Sequence, residues 1–159
     1  MKILHIALLS TLLAAAGCAS ATTKVLAPTA GAVKSATMTI DHGADTVAID
    51  PEYSSYFRDK LAAGLYSAGG FTDGAGVTLR YRFTQLDQGS RAARYMLGPI
   101  AGKGSMTIEI LYLDADGNEL ARTETGGEIS GGFFGGSFKS ALDKAAKETV
   151  AYAKANFLP

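Results

Sequence analysis

A single cysteine in 159 residues excludes an internal disulfide, so no covalent brace holds the fold and the lone thiol needs its own explanation. Histidine is almost as scarce: His5 lies in the apolar start of the chain, which leaves His42 as the only imidazole beyond it. That is thin material for metal ligation or for a nucleophile–imidazole pair. Neither sign of charge is in excess, since 15 bases meet 15 acids. The balance lacks the basic surplus that marks a nucleic-acid-binding chain. No apolar run reaches the about 20 residues that span a bilayer. What the chain does have is the composition of a folded protein, 47% hydrophobic and 19% charged, at a length that fits one domain plus processing segments.

The first segment reads as processing. Lys2 gives a short basic start, residues 3–16 are apolar apart from His5, Ser10 and Thr11, and small residues follow, as in a secretory signal. Ala15-Ala16-Gly17-Cys18 resembles the lipobox of bacterial lipoproteins, with Ala15 where that motif prefers Leu. The resemblance implies cleavage after Gly17 and lipidation of Cys18, palmitate included, which would account for the lone thiol and remove it as a nucleophile. Each buried CH₂ adds about 0.8 kcal/mol, so more than one acyl chain makes the attachment lasting. Ala19 and Ser20 follow, with no Asp at the second position. By resemblance to enterobacterial sorting this implies the outer membrane, inner leaflet, with the domain facing the periplasm. The expected organisation is a removed signal over 1–17, a lipidated Cys18 with a flexible Ala/Thr/Gly/Pro tether over 18–33, and one domain over 34–159.

Within the domain, Ala36, Met38 and Ile40 alternate with Thr37 and Thr39, the period-two pattern of a half-buried strand. Asp50-Pro51 offers an N-cap and a first-turn proline, and Tyr53, Phe57, Leu61 and Leu65 form an apolar helical stripe that ends at Gly69-Gly70. A second strand alternates Val77, Leu79, Tyr81 and Phe83 with Thr78, Arg80, Arg82 and Thr84. A long connection over 88–104 leads to a third strand with Met106, Ile108, Ile110 and Tyr112 on one face. Asp114-Ala115-Asp116-Gly117 is a hairpin turn into a fourth strand over 118–125. Leu142, Ala146, Val150, Ala153 and Phe157 mark a last helix, with Asp143 and Lys147 spaced as an ion pair on its wet side. The expected fold is α+β: a four-stranded, mainly antiparallel sheet with two helices on one face, in the order β-α-β-β-β-α.

Few constellations carry chemistry. The run from Gly98 to Ser105 misses a phosphate loop by one spacer, has Gly104 after Lys103 where Ser or Thr is needed, and enters a strand instead of a helix. Asp114, Asp116 and Asn118 start like a calcium loop, but Glu119 and Thr125 occupy the positions that need Gly and Glu. No catalytic, cofactor or metal residues are assigned, and an enzyme is not expected. The basic cluster has more substance: Arg80, Arg82, Arg91, Arg94 and Lys103 share a stretch whose one acid is Asp87. Guanidinium groups bind carboxylate and phosphate in a fork, so these residues are candidates for contact with an envelope protein or an anionic glycolipid.

Gly102-Lys103-Gly104-Ser105, a strand ending Leu113-Asp114, the turn Asp116-Gly117-Asn118, and Gly131-Gly132-Phe133-Phe134-Gly135-Gly136 before an Ala-rich helix resemble the bacterial lipoproteins grouped as domain of unknown function 4410, over roughly residues 34–157. Gly102, Gly104, Gly131, Gly132, Gly135 and Gly136 are its structural candidates. The family implies no activity. The element order more distantly resembles the small lipoprotein subunit of the lipopolysaccharide-assembly translocon. The expectation is a non-enzymatic binding or assembly accessory of the envelope, with a carrier of small ligands as the alternative, its pocket lined by Tyr53, Phe57 and Tyr81.

Overall fold

The computed structural model describes residues 21–27, 33–87, 104–129 and 138–159. Period-two alternation builds one sheet from β1 (Ala21–Ala27), β2 (Thr37–His42), β3 (Thr72–Asp87), β4 (Gly104–Leu113) and β5 (Glu119–Ile129), in the spatial order β1-β5-β4-β3-β2. In β3, Val77, Leu79, Tyr81 and Phe83 are buried; in β4 the same side of the sheet carries Met106, Ile108, Ile110 and Tyr112. Two helices cover that side. In α1 (Pro51–Ala62) the Asp50 side chain accepts the Glu52 N–H at 2.9 Å and Pro51 opens the helix. Its last turn widens into a π-turn over Ala63–Ser67 and ends at Gly70, whose φ is +87°. In α2 (Phe138–Phe157), Leu142, Ala146, Ala153 and Phe157 are buried and Val150 is partly so, as the stripe predicts.

The helices run parallel. Lys139 meets Glu52 at 2.6 Å, Asp143 meets Tyr56 and Lys60, and further along Lys154 reaches the Ala68 carbonyl. Asp143 therefore ties α2 to α1, 2.8 Å from the Tyr56 hydroxyl and 3.1 Å from Lys60, in place of the expected contact with Lys147. Among the described residues no helix is long and apolar enough to cross a membrane.

The sheet departs from expectation at both edges. It is five-stranded and mixed: β1–β5, β5–β4 and β4–β3 are antiparallel, whereas β2 and β3 are parallel. The parallel pair follows from connectivity, because α1 lies between β2 and β3 and a helical crossover returns the chain in the same direction. The fifth strand falls in the span expected to be a flexible tether over 18–33. Ala21–Ala27 is instead an edge strand, with Thr23 opposite Thr125 and their hydroxyls 3.1 Å apart. Its Thr-rich sequence has little apolar periodicity, but a β5 backbone left unpaired would need a partner, and β1 supplies it.

Candidate functional site

The side of the sheet away from the helices carries charged side chains of both signs. Side chains opposite the core in each strand come into register as two rows. One runs Lys24, Glu124, Glu109, Arg82 across β1, β5, β4 and β3; the next runs Arg122, Leu111, Arg80, Asp41 across β5, β4, β3 and β2. Arg80 Nε donates to Asp41 at 2.6 Å, and Arg82 donates through Nε and a terminal nitrogen, each 2.7 Å from Glu109. Glu109 is the inner member, with 11% side-chain exposure, and Arg122 approaches its other oxygen at 3.9 Å while pairing with Glu119. Placing Glu109 beside Glu124 is repulsive, and the flanking cations offset it. The face is thus charged in both signs and largely matched within itself.

Arg80 and Arg82, expected to offer a fork to an anion or partner, both point to this face and both hold a carboxylate. A bound anion must compete with Asp41 or Glu109 for them. Arg91, Arg94 and Lys103 lie outside the described residues, as do Gly17, Cys18, Gly102, Gly131, Gly132, Gly135 and Gly136. Gly104 is buried at the start of β4, where the chain enters a strand and not a helix. In the 114–118 turn, Asp114 accepts the Asp116 and Asn118 N–H groups at 2.9 and 2.8 Å, and Gly117 has φ +86°. Its carboxylate is engaged in the turn, and no group of three or more His, Cys, Asp or Glu side chains among the described residues could hold a metal ion.

The residues expected to line a ligand pocket pack against one another and their neighbours. Phe57 is fully buried, edge-on to Tyr81 with centroids 5.2 Å apart and to Phe83 at 6.0 Å, while Tyr53 packs on Phe138 at 4.4 Å. Two hollows lined wholly by described residues lie elsewhere. One, about 440 Å³, is a shallow trough on the charged face where Gly126 and Gly127 leave room beside Lys24, Ser105 and Thr107. The other, about 260 Å³, lies on the outside of the helices between Lys60, Gly64, Val150 and Lys154.

Sequence reasoning missed one constellation. His42 Nε2 is 3.0 Å from both oxygens of Asp45, its Nδ1 is 3.3 Å from Ser54 Oγ, and its ring stacks on Tyr81 at 4.6 Å and 7°. The residue types are those of a nucleophilic relay, but the surroundings differ. Ser54 is buried beneath the helix, 3.5 Å from the Tyr81 hydroxyl, and Asp45 also accepts the Phe83 N–H at 2.8 Å. At the start of α1 the Glu52 and Tyr53 N–H groups bond to Asp50, so neither is left to stabilise an oxyanion. The cluster clamps the end of β2 to α1 and β3. The Tyr81 hydroxyl within it is pushed above the ordinary phenol range, chiefly by burial. The distances needed to find it join residues 12 and 27 apart in sequence.

Among the described residues, two parallel helices on one side of a mixed five-stranded sheet, with a charged face on the other, define a two-layer α+β domain. Residues 55–132 match the family model described as "Domain of unknown function (DUF4410)", the family that the glycine and turn motifs resemble, over a shorter span than the 34–157 expected. No curated protein matches the sequence. Among solved structures the fold is similar to two of the PelC dodecamer from Paraburkholderia phytofirmans. One, a leucine-to-methionine variant, is 14% identical with a TM-score of 0.56, over 87% of this chain and 98% of that one. The other is 15% identical with a TM-score of 0.50, over 88% of this chain and 100% of that one. At such identities the likeness is one of fold.

Proposed function

We propose that the protein is a non-enzymatic envelope lipoprotein, held at the outer membrane through acylated Cys18, whose domain serves as an assembly accessory by associating with further copies of itself. The observation that carries this reading is the sheet face opposite the two helices, with the sequence Lys24, Glu124, Glu109, Arg82 laid across four strands. A row with cations at its ends and anions in the middle offers each sign to a second copy, and the trough at Gly126 and Gly127 gives that face relief. The two fold neighbours being dodecamers supports self-association as the form of assembly.

The test is the mass of the mature, detergent-extracted chain by light scattering at low and high salt. The expected result is a multiple of the protomer mass that falls at about 1 M salt, where screening acts over about 3 Å. The paired variant Arg82→Gln/Glu109→Gln, which removes both charges together and strands neither, should remain folded and lose the oligomer. A wild-type protomer that stays monomeric at every concentration would falsify self-assembly. Capture of a different envelope protein or of an anionic glycolipid by that monomer would then identify another partner for the face.

A further inference from the structure

The described surface leaves two large apolar side chains open to solvent, and they are adjacent: Val25 is 49% and Leu26 41% exposed. Both lie on β1, at the edge of the sheet. The register slips between Val25 and Ala27, so Leu26 is the extra residue of a bulge and is carried away from the ladder. Lys24, next to them, is exposed as well. β1 begins at Ala21, three residues after Cys18. Three residues of extended chain reach at most about 10 Å.

We propose that β1 is the membrane-facing border of the domain, with Val25 and Leu26 resting in the interface of the bilayer that holds the lipid. The inference rests on the reading of Cys18 as acylated. So short a link keeps β1 at the bilayer at high effective concentration, and a contact too weak to recruit a soluble domain then suffices to orient a tethered one. In this pose the sheet stands on its edge. β2 is at the edge farthest from the membrane, and the charged face is upright, turned toward copies anchored alongside.

The experiment uses the mature lipidated chain in vesicles of phosphatidylethanolamine and phosphatidylglycerol, with a fluorophore at Thr22→Cys, Ala27→Cys or Thr39→Cys and a quencher on the lipid headgroups. Quenching should be comparable at 22 and 27 and several-fold weaker at 39, on the opposite edge. Quenching at 22 with none at 27 would mean that the domain stands on the Ala21 end of its strands, and equal quenching at all three would mean no fixed pose; either result overturns the inference. In the background Val25→Ser/Leu26→Ser, the signal at 27 should fall several-fold, and an unchanged signal also overturns it. The intact mass of the extracted chain reads acylation separately. An unacylated chain defeats the anchor reading and this inference together, whereas an acylated chain with the wrong quenching pattern defeats the inference alone.

Discussion

Among single residues, Asp114 shows how closely a turn can hold a carboxylate. Its hydrogen bonds to Asn118 and Asp116 lie within four residues, and they hold its carboxyl below the usual carboxylate range, the Asn118 side chain contributing most. A depressed folded pKa contributes stability that is present above the unfolded pKa and lost as pH falls through the folded one. Asp114→Asn should therefore flatten the acid limb of a stability–pH profile, and an unchanged limb would show that the turn does not couple to folding. That turn is legible because its bonds join near neighbours in sequence, whereas features set by contact across the fold, such as Thr123, are not. A threonine in an alternating strand looks harmless in sequence, yet it faces the core, fully buried near the Tyr112 hydroxyl, and its own hydroxyl makes no well-formed hydrogen bond among the described residues. Thr123→Val should raise stability by about 1 kcal/mol, because it removes a desolvated polar group at nearly constant shape. Urea titration reads this directly, and a loss of stability would show that the hydroxyl is satisfied.

Among elements, both helices could be read from their stripes because burial on one face imposes a period of 3.6 on the apolar residues. How close the helices come could not. The joint depends on Gly64, where an added Cβ would lie 2.7 Å from Val150 Cγ2. Gly64→Ala should destabilise by about 1–3 kcal/mol through overpacking, offset in part by any gain in helix propensity. Val150→Ala in the same chain should recover much of the loss by clearing the contact. If the double variant is no more stable than Gly64→Ala alone, the cost lies in the π-turn and not in the packing of α2. The charged face shows the same division. The alternation that put Arg80 and Arg82 on one side of β3 was visible, but their carboxylate partners come from β2 and β4, and pairing across strands depends on register that the pattern of one strand does not fix.

For the molecule as a whole, the status of residues 21–27 matters most, since it decides where the domain begins and how closely it can follow an anchor. Composition made this stretch a tether; the sheet makes it the strand that covers β5. Without β1, the β5 edge would present unpaired N–H and C=O groups, and buried Thr123 and Thr125 would lose the cover of Val25 and Thr23. Two soluble chains, one starting at residue 19 and the other at residue 33, separate the alternatives. If β1 is part of the cooperative unit, the shorter chain should lose at least about 2 kcal/mol in urea unfolding, a large share of the stability of a small domain, and should aggregate through the exposed edge. A tether would cost no more than about 0.5 kcal/mol, as expected for surface changes. Equal unfolding midpoints would place the start of the domain after residue 27, restore a long flexible link to Cys18, and remove the geometric ground for an edge-on pose at the membrane.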